Sequence, residues 1–77
     1  VTVARDAVLA LLARRAPGAT ICPSEVARAL ADGDDWRGAM PAVHDAVDTL
    51  VNEGRVALSW KGRPLAVRAG PYRIRRP

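Results

Sequence analysis

The chain has 77 residues, 49% of them hydrophobic and 26% charged, with a formal net charge of +4. That describes one globular domain, too short for a second core and for a deep substrate cavity of its own making. The longest strongly apolar run, residues 8–13, falls far short of the roughly 20 residues that a membrane-spanning helix needs.

The predicted elements begin with a helix over 3–16. Ala4, Ala7, Val8, Leu11 and Leu12 recur at i, i+3, i+4, i+7 and i+8, one face of a 3.6-residue period. Thr2 is read as its N-cap, with Asp6 near the positive helix end, and Pro17-Gly18 stops it. Thr20-Ile21 reads as a minimal extended bridge, with Ile21 expected to pair near the hairpin. A second helix is expected over 23–31. Pro23 suits its first position, Cys22 its N-cap, and Glu25 the capping box. Val26, Ala27 and Leu30 face inward, and Asp32-Gly33 ends it. Pro41 cannot donate a backbone hydrogen bond. The third helical region, 36–53, is therefore expected to open with a short turn over 36–39 and to run on as the main helix from Met40. Met40, Val43, Val47, Leu50 and Val51 line one side of it; His44, Asp45, Asp48, Thr49 and Asn52 line the other. Gly54 is its stop.

After Gly54 the period changes from 3.6 to 2. Val56, Leu58 and Trp60 alternate with Ala57, Ser59 and Lys61. This predicts a hairpin over 55–68, with a turn at Lys61-Gly62-Arg63-Pro64 and a return strand at 65–67. A last extended stretch follows Gly70-Pro71, with Tyr72 and Ile74 pointing one way and Arg73 and Arg75 the other. The fold class is mainly α with a small β-hairpin. The expected core is Val8, Leu11, Leu12, Ile21, Val26, Leu30, Val43, Val47, Leu50, Val56 and Leu58, with Trp60 packed at the end of the hairpin row and Trp36 wedged between helices 2 and 3.

Three helices followed by a hairpin is the order of a winged helix-turn-helix, in which the hairpin is the wing, here about 55–75. The segment Thr20-Ile21-Cys22-Pro23-Ser24-Glu25-Val26-Ala27-Arg28 resembles the signature of a family of small bacterial winged-helix proteins of unknown function. Trp36-Arg37, Met40, Gly54, Lys61-Gly62 and Gly70-Pro71-Tyr72-Arg73-Ile74 are similar to the same pattern. The resemblance covers nearly the whole chain and implies a single winged-helix domain. Its departures are His44, where a base is usual, and Pro64-Leu65-Ala66, where an acid follows the wing turn.

The charge is unevenly spread. Residues 1–54 carry five Arg and eight acids, a net of −3, and residues 55–77 carry seven bases and no acid, a net of +7. A polyanion would meet the last third. Two-residue alternation gathers Arg55, Lys61, Arg73 and Arg75 on one outer surface, with Arg63 at the turn and Arg76 at the tail. Such a stripe suffices for weak, phosphate-dominated DNA binding. The competing account is that long basic side chains keep edge strands from pairing with other chains. Helix 3 is a poor groove reader, since residues 40–53 contain no Lys or Arg and only Asn52 suits a base edge. The alternative function is a protein-interaction or dimerisation module, the acidic helix of one copy meeting the basic wing of another.

No enzymatic activity, cofactor, small-molecule substrate or membrane partner is expected. One Cys and one His cannot supply the three or four ligands that zinc requires. A single Cys excludes an internal disulfide framework and fits a reducing compartment, and no charged leader precedes an apolar segment at Val1, so the expected location is cytoplasmic. Cys22 is read as a structural, mostly buried thiol. Replacing it with Ser, the better N-cap, should preserve the fold; an unchanged circular-dichroism spectrum and thermal midpoint for Cys22→Ser would check this.

Overall fold

The change of period at Gly54 divides the structure into a helical part and a sheet. The computed structural model describes residues 2–31 and 33–77. Its elements are α1 (Thr2–Ala13), β1 (Thr20–Ile21), α2 (Pro23–Leu30), a 3-10 turn (Gly33–Asp35), α3 (Trp36–Asn52), β2 (Ala57–Trp60), β3 (Arg63–Leu65) and β4 (Arg73–Arg75). The class is as expected: three helices and a small antiparallel sheet containing a hairpin. Among the described residues no helix is long and apolar enough to cross a membrane.

Helix α1 already includes Thr2, which is therefore a helical residue and not the cap before it. It ends at Ala13, three residues earlier than its periodicity suggests. The reason is local: Arg14 and Arg15 donate to the carbonyls of Leu11 and Leu12 at 3.2 and 3.1 Å, i to i−3 bonds that tighten the last turn. The chain then reverses at Ala16-Pro17-Gly18-Ala19, closed by Ala19 N–H to the Ala16 carbonyl at 3.0 Å with Gly18 at φ 85°, as a turn with Pro then Gly at its centre favours. Helix α2 has Pro23 at its first position and opens with the expected capping box between Cys22 and Glu25, whose carboxylate accepts from the Cys22 N–H at 3.1 Å. It ends at Leu30, one residue before the expected 31, where the Ala31 N–H bonds the Ala27 carbonyl at 3.1 Å; of the expected stop at Asp32-Gly33, Asp32 lies outside the described residues.

Helix α3 runs unbroken from Trp36 to Asn52, with Pro41 inside it. The expected interruption at 36–39 does not occur. The 3-10 turn before Trp36 supplies the tight opening instead. Pro41 and Arg37 both face solvent, so the Arg37 carbonyl that Pro41 cannot satisfy remains open to water. At the other end the Gly54 N–H bonds the Val51 carbonyl at 3.0 Å and the Arg55 N–H bonds the Leu50 carbonyl at 2.9 Å. Gly54 sits at φ 72°, which completes a Schellman stop.

The sheet order is β1-β4-β2-β3, all pairs antiparallel. The hairpin is tighter than expected. Its loop is only Lys61-Gly62, with φ of 51° and 80°, the two positive values that a type I′ turn requires. The return strand therefore starts at Arg63 and ends at Leu65, and the chain leaves the sheet before Val67, which is 71% exposed. Pro64 is tolerated because β3 is an edge strand.

The core gathers Val8 and Leu12 of α1, Ile21, Val26, Ala27, then Val43, Val47 and Leu50 of α3, with Val56, Leu58, Tyr72 and Ile74 from the sheet. Leu11 and Leu30, expected inside, are half-buried at its margin. Trp60 is 38% exposed. It pairs with Arg63 at the hairpin end, one step beyond the layer that the helices cover. The expected core omits Ile74, yet Ile74 is fully buried. Its register sets it opposite both Ile21 and Leu58. Truncating Ile74 to Ala should cost about 2–5 kcal/mol, while Leu11→Ala should cost far less. Urea unfolding of the two variants checks the ranking.

Candidate nucleic-acid interface

Alternation in β4 buries Ile74 and turns Arg73 and Arg75 to the outer face of the sheet. Ser59 lies opposite Arg73, and Ala57 opposite Arg75. That much of the expected basic surface is present. Arg75 is half-buried on this face, Arg55 is exposed just after α3, and Lys61 is exposed at the hairpin tip. Arg63 departs from the stripe. It pairs with Trp60, and Leu65 beside it pairs with Leu58. Parity therefore assigns Arg63 to the inner side of the sheet, past the end of the core, where it is exposed.

Arg73 is already engaged within the fold. Its Nε donates to Thr20 Oγ1 at 2.6 Å and its Nη2 to the Thr20 carbonyl at 3.2 Å. It ties β1 to β4 across the outer face and has fewer donors left for a phosphate. Arg76 is also structural. Its Nη2 donates to the carbonyls of Leu12 and Arg15 at 2.8 and 3.2 Å, pinning the segment after β4 to the last turn of α1 and the loop that follows it. Asn52 is exposed in the last turn of α3 and faces a shallow groove of about 310 Å³ shared with Leu58, Val67 and Arg68. The groove lies apart from the outer face that carries Arg75.

The segment between β3 and β4 folds over the outward face of α3, a contact the sequence pattern does not reveal. Arg68 binds Asp48 through two parallel bonds, Nε to Oδ1 and Nη2 to Oδ2, each 3.0 Å. Tyr72 Oη lies 2.7 Å from His44 Nδ1, with the rings tilted at 54°. Asp48 is thus neutralised by a partner and no longer presents a bare carboxylate. The Arg68 hydrogen bond holds its pKa below the usual carboxylate range. Burial lowers the His44 pKa, and the Arg68 charge lowers it further, against the opposing pull of Asp48 and Asp45. Burial pushes the Tyr72 phenol up to about 12. Around neutral pH this pair is uncharged, and the phenol is available to donate to the imidazole.

Two other ion pairs tie distant elements together. Arg5 meets Glu53 at 2.7 Å, and Arg15 meets Glu25. The Cys22 N–H first, and then Arg15, hold the Glu25 pKa down; Arg5 does the same for Glu53. Cys22 is half-buried and not buried as expected, because the N-cap lies at the helix rim; its Sγ is 3.1 Å from Ser24 Oγ. Sequence reasoning also missed an arginine pair around Trp36. The Arg28 and Arg37 guanidinium carbons lie 4.7 and 4.4 Å from the Trp36 ring centroid. The adjacency of Trp36 and Arg37 was the only sequence signal for it. Among the described residues no three His, Cys, Asp or Glu side chains gather as a metal site.

Among known families, the chain matches one described as a protein of unknown function, DUF3253, over residues 2–77. None of the curated proteins matches it.

The titration of these groups has one direction. Asp48, Glu25 and Glu53 have folded pKa values below their ordinary ones. Their contribution to stability is complete above the ordinary carboxylate range and is lost as pH falls through the lower folded values. His44, lowered from 6.5, contributes fully above 6.5 and loses its contribution as pH falls toward its folded value. The thermal midpoint should therefore fall on acidification, and His44→Gln should flatten the first part of that fall. Calorimetry across the acid range checks the sign; a midpoint that rises on acidification would contradict it.

Proposed function

The chain belongs to the DUF3253 family, and we propose that it is a winged helix-turn-helix module of the bacterial cytoplasm that holds nucleic acid by its phosphates. The observation that carries this reading is the charge left over once the internal contacts are counted. Arg68, Arg73 and Arg76 serve the fold. Arg55 just after α3, Lys61 at the hairpin tip, Arg63 at the start of β3 and Arg75 on the outer sheet face remain, in a stretch without a single carboxylate. Phosphate binding needs cations with accessible donors and little else.

The element order supports the winged-helix reading. α2 packs on α3, and a β-ribbon follows α3. Helix α3 contributes little base reading, because His44 and Asp48 are taken up by Tyr72 and Arg68. Affinity should therefore be weak, salt-dependent and poorly selective. A second reading rests on the exposed Trp60 and Val67. They would suit a protein partner or a second copy of the chain, and in that case nucleic acid would not bind.

Fluorescence anisotropy with a labelled DNA duplex, titrated over a range of salt, tests the reading. Four phosphate contacts contribute a log–log salt slope of about −3.6, from −0.9 each. Changing Arg55, Lys61, Arg63 and Arg75 together to Gln should flatten the slope by about that amount and leave the thermal midpoint in place. Absence of duplex binding at low salt would overturn the reading. A concentration-dependent dimer in light scattering would then support the second one.

A further inference from the structure

Helices α2 and α3 meet at Trp36, half-buried against the core. Two guanidiniums lie over its ring, Arg28 from α2 at 4.7 Å and Arg37 from α3 at 4.4 Å. These distances keep the two cations within about 9 Å of each other, inside one Debye length of roughly 10 Å at 0.1 M salt. They act as one doubly charged patch. Like charges on long exposed side chains separate unless something holds them, and here the indole does so through its electron-rich face. Both arginines are exposed. Among the described residues neither makes an ion pair or a side-chain hydrogen bond, although Asp34 and Asp35 precede Trp36 in the 3-10 turn. A guanidinium stacked over a ring retains N–H donors at its edge for an oxyanion, two of which can bind a phosphate in parallel.

We infer that Arg28 and Arg37, held by Trp36, form a second phosphate-binding site for the backbone of a nucleic acid. It rests on the reading above and extends it. The site lies outside the basic last third, within the part of the chain whose net charge is −3, so a charge count hides it. Trp36 is a positioning residue. Its ring is already covered by guanidinium, and it offers no platform for a stacked base. The ligand chemistry is therefore that of the phosphodiester, without base preference. The site doubles the ways in which the domain can engage a duplex, one through the wing and one at the junction of α2 and α3.

The test uses the whole chain and a fluorescein-labelled DNA duplex. Arg28→Gln with Arg37→Gln should flatten the salt slope by about 1.8, two contacts at 0.9 each. Arg28→Lys with Arg37→Lys should keep the slope and weaken binding, because lysine keeps the charge and loses the parallel bonds. In a Trp60→Phe background, where Trp36 is the one remaining indole, saturating duplex should change the Trp36 emission. If the wild type binds but the Gln pair leaves its slope unchanged, or if Trp36 emission does not respond, this site is overturned while the wing reading stands. If the wild type binds no duplex at low salt, both fall.

Discussion

The rest of the structure depends on one strand, β4, being paired along both edges. Ile74 lies opposite Ile21 on one side and Leu58 on the other, and all three side chains are fully buried or nearly so. β1 has two residues and, among the described residues, pairs with β4 alone. The β2–β3 hairpin alone would be marginal in water. Inserting β4 between them makes a sheet with one continuous apolar face, and the three helices close over it. The flanking residues of the same segment add fastenings on either side. Tyr72 reaches His44 on α3, Arg73 holds Thr20 on β1, and Arg76 pins the last turn of α1. These contacts join positions up to 64 apart, so the chain must close long loops before the sheet stabilises anything.

The same segment explains why net charge overstates the free positive surface. Seven bases follow Gly54, but three of them are spent on the fold. Arg68 answers Asp48, Arg73 answers a hydroxyl and a carbonyl, and Arg76 answers one carbonyl in α1 and one in the loop after it. The exposed Arg68–Asp48 pair adds little to stability by itself. Its consequence is placement: it seats the segment before β4 on the outer face of α3 and cancels a carboxylate there. The domain is left with a modest set of free cations at the hairpin and sheet, and a separate arginine pair at Trp36. Under the proposed function, such a set suits loose engagement of a phosphate backbone better than reading of base edges.

Local pattern carried most of the fold. The helical face of α1, Pro23 at the start of α2, the Gly54 stop and the alternation of β2 were all legible, because each depends on neighbours within one or two turns. What was not legible depends on separation or on the limit of the core. Arg68 and Asp48 lie 20 apart with no periodicity linking them. Trp60 continues an apolar row, yet exposure depends on where the helices stop covering it. Ile74 reads as one residue of a short tail, and only the double pairing of β4 makes it central. Arg63 moved from the expected turn into β3, on the inner side of the sheet, because a two-residue loop, not a four-residue one, sets the register. Of the expected basic stripe, the structure sets Arg73 and Arg75 on the outer sheet face, with Arg73 engaged to Thr20, and puts Arg63 on the inner side.

Native-state hydrogen exchange tests the central position of β4 most directly. If β4 is the shared partner of β1 and β2, the amides of Arg73, Ile74 and Arg75 should exchange only through global unfolding. Their opening free energy should then match that of amides in the middle of α3, such as Val47 and Leu50. Faster exchange of β4 by local opening, with α3 still protected, would contradict this account and make the last strand a frayed tail on a domain that other contacts hold together.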